Sequence, residues 1–152
     1  MSIEPPLTRD IGQAERTLQA LLQHQLAPSN LTFPQWAVLT FLTGAGPLGQ
    51  NTLIDLLNKG KIVASNEAKS LLNSMAASGL ICFSENREGA NREPLLSATE
   101  AGASLYRPVR ETVEQITLRL FAGLPVADLE ATRRTLGAVT DRADRILENL
   151  ST

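Results

Sequence analysis

The sequence predicts a mainly α-helical chain with one small β-hairpin: a winged helix-turn-helix flanked by long helices at both ends. Three observations predict it. Ala68, Leu71, Leu72 and Met75 fall at i, i+3, i+4 and i+7, which is one buried stripe of a helix. Two short apolar runs follow at once, Leu80 to Ser84 and Pro94 to Ala98, separated by the polar stretch Glu85 to Glu93, rich in turn formers. That order reads as a hairpin with a charged tip. Far from both, Leu129, Leu136, Val139, Ala143, Ile146 and Leu150 recur at spacings of seven, three, four, three and four. This is a heptad seam, the pattern by which one long helix packs on another.

The elements follow in order. Pro5-Pro6 keep residues 1–7 out of a helix, and Thr8 caps a first helix running to about Leu26. Its apolar stripe is Ile11, Ala14, Leu18, Leu21 and Leu22, and Ala27-Pro28-Ser29-Asn30 breaks it. Thr32 caps the second helix with Phe33 and Pro34 in the first turn, where proline costs nothing. Trp36, Leu39, Phe41 and Leu42 make that helix central and buried. Gly44-Ala45-Gly46-Pro47-Leu48-Gly49 matches the dinucleotide-binding fingerprint in form only. The fingerprint needs a strand before it, and here a helix precedes. The stretch is read as a turn, with Leu48 in a short extended segment and Gln50 or Asn51 capping a third helix from Thr52 to about Asn58. That helix buries Leu53, Leu56 and Leu57. Lys59-Gly60-Lys61 is the turn before the next helix, with Gly60 able to take the left-handed conformation.

The fourth helix turns a face of short, hydrogen-bonding side chains away from its buried stripe: Ser65, Asn66, Lys69, Ser70 and Asn73. Such a face suits a groove of DNA better than a hydrocarbon core. Gly79 ends this helix as a left-handed cap. In the strand after it, Ile81 and Phe83 share one face and Leu80 and Cys82 the other. Pro94 suits the first position of the returning strand. Thr99 caps a long helix to about Ala122 with the stripe Leu105, Val109, Val113, Ile116 and Leu120, and Pro108 inside it should bend it. Gly123-Leu124-Pro125 is a turn, and the last helix runs to Leu150. The chain divides into an N-terminal helix of a dimerisation region (1–30), a winged helix-turn-helix (31–99) and C-terminal dimerisation helices (100–152). One chain has too few surfaces to cover three long amphipathic helices, which argues for a homodimer.

Composition narrows the function classes. The chain has 152 residues, 43% hydrophobic and 20% charged, enough for a real core and not the make-up of a disordered chain. A net charge of -2 and a pI near 5.4 weigh against a protein coated in nucleic acid. Charge is uneven, however. From Lys59 to Arg92 there are five basic residues (Lys59, Lys61, Lys69, Arg87, Arg92) against three acids (Glu67, Glu85, Glu88). A single cysteine, Cys82, excludes an intramolecular disulfide and reads as a reduced, cytoplasmic setting. On a strand it is expected to be buried and inert. The N-terminus lacks the basic and apolar regions of a signal peptide, and no apolar run approaches the roughly 20 residues that cross a bilayer. One histidine, His24, with no Cys/His cluster cannot build a metal site. With one His and one Cys a nucleophile with its base is hard to assemble, and no catalytic constellation is found. The reading is a non-enzyme with no cofactor. Asp141, Asp144 and Glu148 alternate with Arg142 and Arg145 as a solvated helix face.

Four stretches in this order resemble the MarR family of bacterial transcription regulators. Residues 31–39, Leu-Thr-Phe-Pro-Gln-Trp-Ala-Val-Leu, are similar to that family's LTxPQWxVL helix. Leu71 to Ile81 resembles its LVxxLxxxGLI recognition-helix end, Leu95 to Gly102 its LVSLTEAG, and Leu124 to Leu129 its LSPEEL. The resemblance spans about residues 8–150. It implies a homodimer held by terminal helices, with recognition helices in successive major grooves of a palindrome and wings along the minor groove. The implied function is a sequence-specific DNA-binding regulator, a repressor, released by a small phenolic or aromatic-acid effector.

Carried over by position, Ser65, Asn66, Lys69 and Ser70 match the recognition residues, and Arg92 falls near the wing arginine of an Asp-x-Arg motif. Lys61, Arg87 and Asn91 complete the DNA-facing set. Ser65 and Asn66 are equally good helix caps. Trp36 is either a core aromatic or a residue against which the effector stacks. Two departures stand out. The aspartate of the wing motif is missing from Glu88-Gly89-Ala90-Asn91-Arg92, and Glu67 puts a carboxylate in the recognition region. They motivate an alternative: a winged-helix dimer that acts through protein-protein contacts with weak or no DNA binding.

Overall fold

The computed structural model describes residues 6–85 and 93–151. They form two compact units, Met1–Glu114 and Gln115–Thr152. The larger is built on α2 (Phe33–Ala45), whose Ala37, Val38, Leu39 and Leu42 are buried. Its start is the expected one. Thr32 and Gln35 form a capping box, Gln35 N donating to Thr32 Oγ1 (3.3 Å) and Thr32 N to Gln35 Oε1 (3.0 Å), with proline in the first turn. Before it lies α1 (Pro6–Leu26), closed by a short 3-10 turn at Ala27–Ser29 and by Asn30 in the left-handed region. The helix begins at Pro6, not at Thr8, because a proline in a first helical turn has no amide to lose.

The helices α3 (Gln50–Lys59) and α4 (Ala68–Ala77) pack their apolar faces into one core with α2. Leu53, Leu57, Ala68, Leu72 and Met75 have no exposed surface, whereas Leu56 and Leu71 are half-buried. Each such leucine contributes on the order of 1.5–3 kcal/mol. Three short strands complete the unit: β1 (Leu48–Gly49), β2 (Ile81–Ser84) and β3 (Leu95–Ala98), in the antiparallel order β1-β3-β2. The hairpin read from sequence is thus part of a three-stranded sheet. At its centre Leu96 is fully buried, opposite Leu48 on one side and Phe83 on the other. Ile81 is buried as expected. Cys82 is not: successive side chains of a strand point to opposite faces, so it lies on the side away from buried Ile81, and the thiol is exposed, with Sγ 3.3 Å from Ser97 Oγ of the neighbouring strand.

The long helix α5 (Glu100–Phe121) starts from a tight joint with the end of α4. Gly79 takes φ +78 and Leu80 N and Gly79 N donate back to Met75 O and Ala76 O (both 3.0 Å), which is a Schellman closure. Thr99 Oγ1 donates to Gly79 O (2.5 Å) and accepts from Gly102 N (3.0 Å), while Thr99 N donates to Leu80 O (3.1 Å). Gly102 is buried, and a Cβ there would overlap the Leu80 carbonyl oxygen. The Thr-Glu-Ala-Gly stretch is therefore a fitted joint. α5 continues through Pro108, and Thr112 Oγ1 donates to the Pro108 carbonyl (3.1 Å).

In the smaller unit, α6 (Val126–Leu150) buries none of its residues. Along its predicted seam Leu136, Val139, Ile146 and Leu150 are 41%, 44%, 59% and 76% exposed. No helix of the described residues is long and apolar enough to cross a membrane.

The joint between α4 and α5 sets a first expectation. Gly102→Ala forces a methyl against backbone that cannot swing away, so it should destabilise by about 1–3 kcal/mol, as overpacking does. In thermal denaturation the midpoint should fall by several degrees, whereas Gly137→Ala, where a Cβ meets only open space, should not lower it.

Candidate nucleic-acid interface

With Ala68, Leu72 and Met75 buried, the opposite side of α4 is open to solvent, and Lys69, Ser70 and Asn73 lie on it. Ser65 and Asn66 are exposed too, but they precede the helix. Glu67 N donates to Ala64 O (2.9 Å), closing a turn over Ala64-Ser65-Asn66-Glu67, and only then does Leu71 N donate to Glu67 O (2.9 Å). The helix starts later than the polar periodicity suggested because those residues are used in a turn. Glu67 occupies the N-cap with no side-chain cap bond. The N-cap side chain thus leaves the leading amides of α4 without its oxygen, at the positive end of the helix dipole, beside an exposed carboxylate.

The turn between α3 and α4 also departs from expectation. Gly60 sits in the right-handed region at φ -80, and Lys61 takes the left-handed one at φ +57. Gly60 N and Lys61 N still close α3 by donating to Leu56 O and Asn58 O (both 3.1 Å), and Ile62 N donates to Leu57 O (3.0 Å). The chain reverses one residue after its glycine, and Lys61 is held, exposed, at the corner of the helix-turn-helix.

The other three members of the predicted set, Arg87, Asn91 and Arg92, lie outside the described residues. Glu93 is the first described residue after them, and its carboxylate accepts from Asn51 N (2.9 Å) at the first turn of α3. This explains why α3 starts at Gln50, ahead of the predicted Thr52: its N-cap is Gly49, without a side chain, and the acceptor arrives from a residue 42 positions away. No local pattern could have announced it.

Trp36 is half-buried and packs on Phe33, ring centroids 6.2 Å apart. Its indole Nε1 is buried with no hydrogen-bond partner. One side of Trp36 borders a cavity of about 440 Å³ between α2 and the first half of α5, lined also by Thr40, Thr43, Tyr106, Arg110 and Glu114. Arg110 Nε donates to Glu114 Oε1 (2.9 Å), and that bond and the charge of Glu114 raise the guanidinium pKa above its ordinary value. The cavity offers aromatic walls, hydroxyls and a cation paired with Glu114. Of this group sequence reading found only Trp36; Arg110 and Glu114 at i, i+4 were the available signal. Among the described residues no cluster of His, Cys, Asp and Glu could hold a metal ion.

The left-handed Lys61 is open to test. Lys61→Gly should raise stability by about 1 kcal/mol, because a side chain in that region is strained and glycine is not. The urea midpoint should move up at unchanged slope.

No family model and no curated protein matches the chain. Solved structures do. NadR in complex with 4-hydroxyphenylacetate aligns with a TM-score of 0.72 and 18% identity, over 92% of this chain and 96% of that one. A cysteine-to-serine mutant of MarR from E. coli, complexed with operator DNA, gives 0.71 and 21% over 89% and 94%. Bordetella bronchiseptica BpsR, whose DNA binding is regulated by 6-hydroxynicotinic acid, gives 0.70 and 22% over 93% and 97%. The chain shares the fold of these solved structures, MarR among them, as its sequence motifs implied.

Proposed function

We propose that the chain is a homodimeric, sequence-specific DNA-binding transcription regulator that represses by occupying a palindromic operator. The observation that carries this reading is the exposed polar face of α4, with Lys69, Ser70 and the preceding Ser65 and Asn66, presented on a helix-turn-helix whose other side is core. Short hydroxyl and amide side chains can reach base edges, and Lys61 and Lys69 can neutralise phosphates. The fold likeness to a MarR structure with operator DNA supports it. Arg87, Asn91 and Arg92 would supply the wing contacts. The second copy is supported by the α6 seam, a row of exposed apolar side chains that another long helix would cover.

Release follows from the cavity beside Trp36. A hydroxylated aromatic acid matches its walls, with the carboxylate on Arg110. Two neighbours of the same fold are named with such acids, 4-hydroxyphenylacetate and 6-hydroxynicotinic acid. Binding there, between α2 and α5, would favour a different spacing of the two recognition helices and so lower DNA affinity.

One observation favours the alternative, a winged-helix dimer working through protein contacts. Glu67 stands at the leading end of α4, where a carboxylate opposes phosphate. It can still accept from the amino group of cytosine, which trades affinity for selectivity.

A mobility-shift titration against the chain's own upstream DNA at several salt concentrations separates the two. The regulator binds one segment preferentially, with affinity falling steeply as salt rises. Lys69→Ala should weaken binding across sequences and flatten the salt slope by about one. A slope equal to that of the parent protein removes Lys69 from the phosphate contacts, and absence of any sequence preference overturns the regulator reading. For the effector site, Arg110→Ala should weaken 4-hydroxyphenylacetate by roughly tenfold or more in calorimetry, the size of a lost charged hydrogen bond. Equal affinities would place the acid elsewhere.

A further inference from the structure

Glu93 holds an unusual position. It stands just ahead of Pro94 and β3, and its side chain crosses Gly49 to reach the start of α3. Three contacts line up there. Gly49 pairs with Leu95 in the sheet, Gln50 N donates to Pro94 O (2.9 Å), and Asn51 N donates to Glu93 Oε2 (2.9 Å). The carboxylate extends the strand pairing by one rung onto the first turn of a helix. It also puts a negative charge at the positive end of the helix dipole, where the N-cap residue has no side chain to offer. The fit is close: a Cβ at Gly49 would overlap the Glu93 carboxylate. Gly49 has ordinary extended backbone, φ -64 and ψ 148, so a side chain there would be tolerated by the backbone but would have to displace the Glu93 carboxylate.

We propose that Glu93 is a positioning residue that fastens the returning strand of the wing to the first helix of the helix-turn-helix, so that both meet a duplex as one body. The inference rests on the DNA-binding reading above. Its physical content is simple. α3 shares a core with α4 through Leu53, Leu57, Ala68 and Leu72, so whatever fixes the start of α3 fixes the recognition helix as well. The wing returns into β3 directly through Glu93 and Pro94. Without the carboxylate, β3 keeps its pairing with β1 and β2 and Pro94 O keeps its bond from Gln50 N, but the residue before them loses its side-chain tie to the first turn of α3.

A plain capping role predicts some of the same losses, so the test must separate cap from clasp. Glu93→Ala removes both. Adding Gly49→Asp to it puts a capping carboxylate back locally, in the extended conformation that N-cap residues adopt, and in the space Glu93 vacated. It cannot reconnect the wing. Thermal midpoint, amide exchange of α3 and β3, and affinity for upstream duplex DNA are then measured on all variants.

Glu93→Ala should weaken specific DNA binding by roughly five- to tenfold, the scale of a lost cap, and lower the midpoint by a few degrees. Glu93→Gln should keep most of the affinity, because its amide oxygen can accept the same bond. Gly49→Ala should reproduce the loss in the parent protein and add little in the Glu93→Ala background, the mark of two residues acting as one. In Glu93→Ala/Gly49→Asp the midpoint and α3 protection should return, while DNA affinity stays low and β3 amides exchange faster than in the parent. If affinity returns with stability, Glu93 is only a cap and the proposal is overturned. If the parent protein binds no DNA specifically, the regulator reading fails. The clasp is then judged on exchange alone, and β3 protection equal to the parent's in the double variant overturns it.

Discussion

The architecture depends on one close approach, Gly102 against the carbonyl oxygen of Leu80. A helix that is to read a surface needs its far end fixed. α4 ends at Gly79 in the left-handed turn, and the next residue offers a carbonyl that a glycine of α5 packs against with no side chain between. Thr99 completes the joint by serving both helices at once, donating to Gly79 O and accepting from Gly102 N. The polar groups of the joint are paired with one another, so it costs little in unsatisfied bonds. The joint holds the far end of α4, the end opposite Lys69 and Ser70.

How far the sequence disclosed this follows the range of the interactions. Thr32, Gly79 and Thr99 were readable as caps because cap and helix are neighbours in the chain, and the winged helix-turn-helix with its flanking helices followed from their order. The starts of α3 and α4 were misread for the opposite reason. One is capped from Glu93, across 42 residues, and the other is delayed by a turn that consumes Ser65 and Asn66. Lys61 in place of Gly60 at the left-handed corner shows that a glycine marks where a chain can reverse and not always where it does. Cys82 was expected to be buried from its strand position, but burial on a strand depends on which of its two faces meets the core, and here that face carries Ile81 and not Cys82. In the candidate site, the polar face was legible and the cavity beside Trp36 was not, because Tyr106 and Arg110 reach it from a helix about 70 residues later.

The charge pattern limits what kind of reader this could be. With a net charge of -2, long-range attraction to a polyanion is weak, so the few cations near α4 act over little more than a Debye length. Glu67 narrows the choice further. Under the proposed reading, contact with bases and not with backbone must decide where the protein rests, which is the regime of high discrimination at modest affinity.

The uncapped start of α4 has a thermodynamic side. A helix end whose leading amides lack a side-chain acceptor is the cheapest part of that helix to unwind, so its first turn sits at the low end of the local stability range. A surface that supplies acceptors to those amides orders the turn on arrival and bears the conformational entropy at that moment. Recognition of this kind is written in heat: association driven by enthalpy, opposed by entropy, and accompanied by a fall in heat capacity larger than rigid docking of the same area would give.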